Sequence, residues 1–175
     1  MLLIEKGLKV LIVFSTFMLT VTFSLPWFFA KNNEFINRHL FIAIPTSILV
    51  FFSSTCVLFY FIGTSVWMRD KSENIYFKKQ KKQTGYQLNQ IYLNANKLKA
   101  RTFPFATMIM GFTIFTFIFG GGVQVKAAYS WIHPALAFLT LIFQLLATKT
   151  YIKYININID FLNEFDQVLH QESAN

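Results

Sequence analysis

Charge is scarce in this chain. Asp, Glu, Lys and Arg make up 14% of its 175 residues, against about 25% in a soluble domain. Too few polar side chains are present to cover a water-exposed globule. Disorder is excluded as well, because 54% of the residues are apolar and mean hydropathy is +0.45, far above what an unstructured chain carries. Cys56 is the single cysteine, so no disulfide framework can form within the chain. The alternation of polar and apolar residues that marks an outer-membrane strand is also missing. A small, all-α integral membrane protein remains.

What is present sorts into four long apolar runs. A helix crossing the hydrocarbon core needs about 20 apolar residues. Val10–Ala30, Leu40–Met68, Thr102–Val125 and Ala127–Thr148 reach that length without a charged residue. These boundaries predict a single membrane domain over residues 1–175, a four-transmembrane-helix bundle with spans 10–30, 40–68, 102–125 and 127–148. The first run is longer than the 7–15-residue core of a signal peptide, and Pro26-Trp27-Phe28-Phe29-Ala30 offers no small-residue cleavage site. It reads as a retained helix with an interfacial aromatic belt.

Basic residues set the orientation. The 69–101 loop holds nine: Arg69, Lys71, Lys78, Lys79, Lys81, Lys82, Lys97, Lys99 and Arg101. Together with Lys6, Lys9, Lys149 and Lys153, thirteen basic residues fall on one side, against Lys31, Arg38 and Lys126 on the other. The positive-inside rule places both termini and the long loop in the cytoplasm, and a bacterial inner membrane is the expected location. The net charge of +8 then reflects topology and attraction to anionic membrane lipids, worth about 1 kcal/mol per basic residue near the surface. Nucleic acid is not an expected partner, since a loop of this size hardly makes a folded basic domain. Phe, at 22 residues, with abundant Lys, Asn and Ile, fits an AT-rich bacterial coding sequence.

The loop and the tail carry helical patterns of their own. Leu88, Ile91, Tyr92, Ala95 and Leu98 recur at three- and four-residue spacing, the signature of an amphipathic helix. A turn is expected near Thr84-Gly85, followed by an extension of the third helix into the cytoplasm. Its stripe must be buried against the start of the loop (Ile75, Tyr76, Phe77), on the membrane, or on a partner. Leu88, Ile91, Tyr92 and Leu98 are therefore candidate docking residues. In the tail, residues 149–175, a second stripe of Ile159, Leu162, Phe165, Val168 and Leu169 is set among Asp160, Glu164, Asp166 and Glu172. An acidic tail and a basic loop on one side of the membrane suggest association, although exposed ion pairs contribute little each.

Catalytic signatures are missing. The chain has no G-x-S-x-G, H-E-x-x-H, C-x-x-C or P-loop. None of the four runs contains an Asp, Glu, Lys or Arg of the kind that pumps and proton-coupled carriers place at membrane depth. Gly120-Gly121-Gly122 reads as a stop for the third helix and a close-packing point. Cys56 reads as a small apolar residue, and Ser53-Ser54-Thr55 as helix-packing hydroxyls. Gln144 is expected to bond between helices.

Two histidines stand apart. His39 opens the second span and His133 the fourth. Both spans run from outside inward, so the two imidazoles share a depth near the outer face. In an up-and-down bundle these helices are diagonal, about 11–14 Å apart, suited to clamping a haem iron. Arg38, Lys31 and Lys126 are candidate partners for haem propionates. The plainer alternative is a pair of interfacial histidines bonded to carbonyls or water, and His170 reads as a solvated tail residue. The sequence thus leads to a non-catalytic accessory or scaffold subunit, partnered by other membrane-complex subunits or by its own copies. The alternative is a b-type haem protein in electron transfer, with His39 and His133 as axial ligands.

Overall fold

A computed structural model of the chain describes residues 2–29, 35–78, 82–124 and 131–174. Those residues form four helices: α1 (Leu2–Phe29), α2 (Phe35–Glu73), α3 (Lys82–Gln124) and α4 (Ile132–Ala174). A π-helical turn, Asn74–Lys78, continues α2. The fold is all-α, and each helix is long and apolar enough to cross a membrane. Helices α2, α3 and α4 have 39, 43 and 43 residues, roughly twice the ~20 that a bilayer requires.

The excess length falls on the 69–101 loop and the tail, where the sequence predicts helical stripes and, for the loop, an extension of the third helix. The Leu88–Leu98 stripe belongs to an unbroken α3, and the tail stripe to an unbroken α4. Three local expectations are corrected. Thr84 and Gly85 are not a turn but lie within α3, because Gly85 serves close packing. A Cβ there would lie 2.8 Å from Tyr76 Cβ and 2.9 Å from Tyr76 Cα. Gly120 and Gly121 do not stop α3, which continues to Gln124, since helical backbone tolerates glycine at only about 1 kcal/mol relative to alanine. Finally, α1 starts at Leu2, which brings Glu5, Lys6 and Lys9 into the first helix.

The chain divides into two compact units, residues 1–56 with 105–149, and residues 57–104 with 150–175. In the first unit, hydroxyl contacts fix the register of the helices. Thr22 Oγ1 meets Thr46 Oγ1 at 2.9 Å and Ser53 Oγ donates to Ser15 Oγ at 3.1 Å. As the α1 position falls from 22 to 15, the α2 position climbs from 46 to 53, so the two helices are antiparallel. Helix α4 contacts α1 through Thr16 and Thr148 and α3 through Thr116 and Thr140. Phe112 stacks on Phe143 with centroids 4.9 Å apart. Thr55 Oγ1 reaches Met110 Sδ at 3.9 Å, joining α2 to α3. Short hydroxyl pairs thus join the helices of this unit, the kind of contact that transmembrane helices use.

The second unit has an apolar core. Met68, Ile75, Leu88, Ile91, Ala95, Leu162 and Phe165 are buried together, with Tyr92, Phe161, Val168 and Leu169 packed against them. Asn158 Nδ2 donates to Tyr60 Oη at 3.1 Å and Thr64 Oγ1 at 3.3 Å, and Trp67 lies 5.4 Å from Phe165 between ring centroids. Positions 60–67 of α2 therefore run beside 158–165 of α4 in the same direction. Tail and loop do associate, through aliphatic and aromatic side chains. Each fully buried Leu, Ile or Phe contributes about 1.5–3 kcal/mol, whereas an exposed ion pair contributes about 0–1 kcal/mol.

Candidate functional site

Within the first unit the structure brings His39 and His133 together. Their ring centroids are 6.5 Å apart, with the planes at 78°. That is closer than the about 11–14 Å expected between the diagonal helix axes. His133 Nδ1 lies 3.0 Å from the carbonyl oxygen of Thr116. A carbonyl only accepts, so Nδ1 carries the proton, and in the neutral ring Nε2 keeps its lone pair. Gly120 makes room for this ring, as a Cβ there would lie 2.9 Å from His133 Cε1 and Nδ1. Metal-ligating histidines are commonly oriented by such a bond to a backbone carbonyl.

Among the described residues, no three of His, Cys, Asp and Glu gather as a metal-binding group. Two imidazoles are the ligand number of a bis-histidine haem, whereas zinc takes three or four protein ligands. Of the candidate propionate partners, Lys31 and Lys126 lie outside the described residues, and for Arg38 the structure describes the backbone alone.

A second polar group occupies the centre of the first unit. Gln144 Nε2 donates to Thr16 Oγ1 at 3.0 Å and reaches Ser15 Oγ at 3.4 Å. Thr16 Oγ1 also meets Thr148 Oγ1 at 2.6 Å. Gln144 is 1% exposed, and its Oε1 has no hydrogen-bond partner. The interhelical role expected of Gln144 is what its amide nitrogen performs. Glu5 was missed by sequence reasoning. It is buried, and Glu5, Leu8, Ile12, Ser15 and Thr16 form one inward stripe at helical spacing. That spacing was the signal that would have placed Glu5 inward.

The proposed docking stripe is largely occupied by the chain itself. Leu88, Ile91 and Leu98 are buried, Tyr92 is half-buried, and Leu88 and Ile91 share a core with Ile75, Leu162 and Phe165. The unpartnered apolar face of this unit lies instead on α2. Phe59, Ile62 and Val66 are 69%, 37% and 41% exposed, Gly63 is exposed between them, and Asp70 and Glu73 continue the line. Spacings of three and four residues put all six on one side of the helix. The outward sides of the other two helices differ. On α3 the exposed Tyr86 and Leu93 are interspersed with Gln87, Gln90, Asn94 and Lys97, and α4 exposes Lys153, Asn156, Asp160, Asn163, Glu164 and Gln167.

No protein-family model matches the chain, and neither a curated protein nor a solved structure is detectably similar to it.

Proposed function

We propose that this protein is a non-catalytic accessory subunit of an integral membrane complex, with both termini and the 69–101 loop on the cytoplasmic side. The asymmetry of the second unit carries this reading: α2 exposes an uninterrupted apolar line, Phe59, Ile62, Gly63 and Val66, while α3 and α4 expose mostly polar residues. Apolar residues set around a small one form the kind of face on which membrane helices pack. Thirteen basic residues on the side assigned to the cytoplasm support the orientation. Extraction in a mild detergent should yield an assembly well above the 20.4 kDa of one chain. Ile62→Arg should release the protein from that assembly without loss of helix content. A wild-type protein that purifies only as a monomer in mild detergent and in native nanodiscs would refute the reading.

The approach of His39 and His133 favours a second reading, a b-type haem protein in electron transfer. His39 and His133 would hold the iron, with Arg38 and Lys126 as candidate propionate partners, and the group would supply one-electron chemistry. The chain's own contribution is orientation: the Thr116 carbonyl fixes the His133 tautomer and Gly120 leaves space for its ring. Protein isolated with haem supplied during expression should show sharp reduced α and β bands, lost in His39→Ala and in His133→Ala. A colourless preparation rejects the haem.

A further inference from the structure

The outward face of α1 carries a groove that neither functional reading uses. Lys9, Val10, Val13, Phe14 and Phe17 line an open groove of about 500 Å³, and its four apolar members are each at least half exposed. Spacings of three and four residues continue the same side of the helix to Lys6, one turn before Val10. Charge at this end of α1 is divided between two sides. The helix has three charged residues, Glu5, Lys6 and Lys9. Glu5 is turned inward and 2% exposed, whereas Lys6 is exposed and Lys9 is half-buried at the groove. With Glu5 counted, residues 5–9 still carry a net positive charge, and no charged residue follows in α1.

The dimensions identify the occupant. From Lys9 to Phe17 the helix rises about 12 Å, close to the ~15 Å depth of hydrocarbon in one leaflet. The open face then ends, since only Thr20 is exposed between residues 18 and 26. A partner helix crossing the whole bilayer would find a matching face along half its length. A second copy docked about a two-fold axis through this face would bring Lys6 and Lys9 of both chains together. One phospholipid meets every feature: its acyl chain has the depth of one leaflet, and an anionic headgroup is attracted to Lys at the membrane surface. We propose that this face of α1 binds a single anionic phospholipid, its phosphate against Lys6 and Lys9 and one acyl chain along Val10, Val13, Phe14 and Phe17.

The test uses the full chain reconstituted in phosphatidylcholine bilayers containing a trace of a photo-activatable lipid. Two probes carry the same diazirine-bearing acyl chain, one on phosphatidylglycerol and the other on phosphatidylcholine. Adducts are digested and mapped by mass spectrometry. The phosphatidylglycerol probe should label residues 10–17 about tenfold more than the phosphatidylcholine probe, the effect of two basic residues near an anionic headgroup. Lys6→Gln/Lys9→Gln should abolish that preference, and Lys6→Arg/Lys9→Arg should keep it. Circular dichroism checks that helix content is unchanged. If the double Gln variant loses helix, Lys6→Gln alone, at an exposed position, should lower the preference about threefold, one lysine's share. Equal labelling by the two probes, a preference that survives the Gln substitutions, or anionic-probe adducts confined to another helix overturns the site. Displacement of the probe by soluble glycerophosphoglycerol also overturns it, because the lysines then recognise a phosphate without the acyl chain. Each of these failures leaves the accessory-subunit and haem readings where they stand.

Discussion

Phe165→Ala tests whether the end of α4 is held by apolar burial. Phe165 is 0% exposed, belongs to the core of the second unit and pairs with Trp67 at 5.4 Å between ring centroids. Truncating a buried Phe costs about 3–5 kcal/mol through lost transfer energy and the cavity left behind. Lost ring–ring attraction, about 0.5–1.5 kcal/mol, pushes the value toward the upper end. A whole domain has only about 5–15 kcal/mol of stability, so this is a large fraction of what holds three helical segments together. Amide exchange in purified protein, read on peptides covering 150–171, should quicken by about 10²–10⁴, since each 1.4 kcal/mol is a factor of ten. Gln167→Ala, on the exposed side of the same turn, should leave exchange unchanged. If Phe165→Ala exchanges within threefold of wild type, burial of this ring does not hold the tail, and the packing described for the second unit is wrong.

Four further substitutions test other contacts. Gly85→Ala places a Cβ 2.8 Å from Tyr76 Cβ and 2.9 Å from its Cα; overpacking of about 1–3 kcal/mol should outweigh the ~1 kcal/mol gained in helix propensity. Its thermal midpoint should therefore drop, and an unchanged or higher midpoint contradicts the close approach. Gly120→Ala should push the His133 ring off the Thr116 carbonyl, seen in nitrogen-15 spectra as loss of the Nδ1-protonated tautomer; retention of that tautomer counts against the seat. Gln144→Leu gives up bonds worth about 0.6 kcal/mol on average in membrane helices but also removes the unpartnered Oε1, so it should change stability by less than about 1 kcal/mol. Thr16→Val removes the partner of Thr148 Oγ1 and leaves Gln144 Nε2 only its 3.4 Å contact to Ser15 Oγ, so it should cost more; the reverse order in thermal unfolding would refute this account of the polar centre.

The helices were legible because their signal is local and strong. Long runs without charge require internally bonded backbone, which leaves few alternatives to helix, and the 3.6-residue period marked residues 88–98 and 159–169 before any contact was known. The ends were harder to read. Gly85 and Gly120–Gly122 look like punctuation when only local propensity is weighed, yet Gly85 and Gly120 sit in helices where a neighbour comes within 3 Å of a would-be Cβ. Close approach is a tertiary fact, and the same residue type serves both purposes. Glu5 was misjudged for a related reason: a carboxylate before an apolar run suggests a flank, while its place on the Leu8–Ile12 stripe puts it inside.

The site illustrates the same division between pattern and partner. The sequence placed His39 and His133 at one depth, because depth follows from helix direction and position along the chain. It did not give the 6.5 Å between the rings, which depends on how far each side chain leans from its axis, nor the carbonyl of Thr116 that orients one of them. The amphipathic stripe at 88–98 was recognised correctly as a face that must be buried, and its most apolar members are buried by Ile75, Leu162 and Phe165 of the same chain. Periodicity reports that a face seeks cover and is silent on who provides it. On α2 the opposite happened. Its apolar character runs almost all round through the span, so no period separates inward from outward, and the exposed line at Phe59, Ile62 and Val66 emerges only once Val57, Phe61 and Met68 are seen to be the buried side. For that reason this exposed line stands on the helix whose sequence pattern offered the least indication of one.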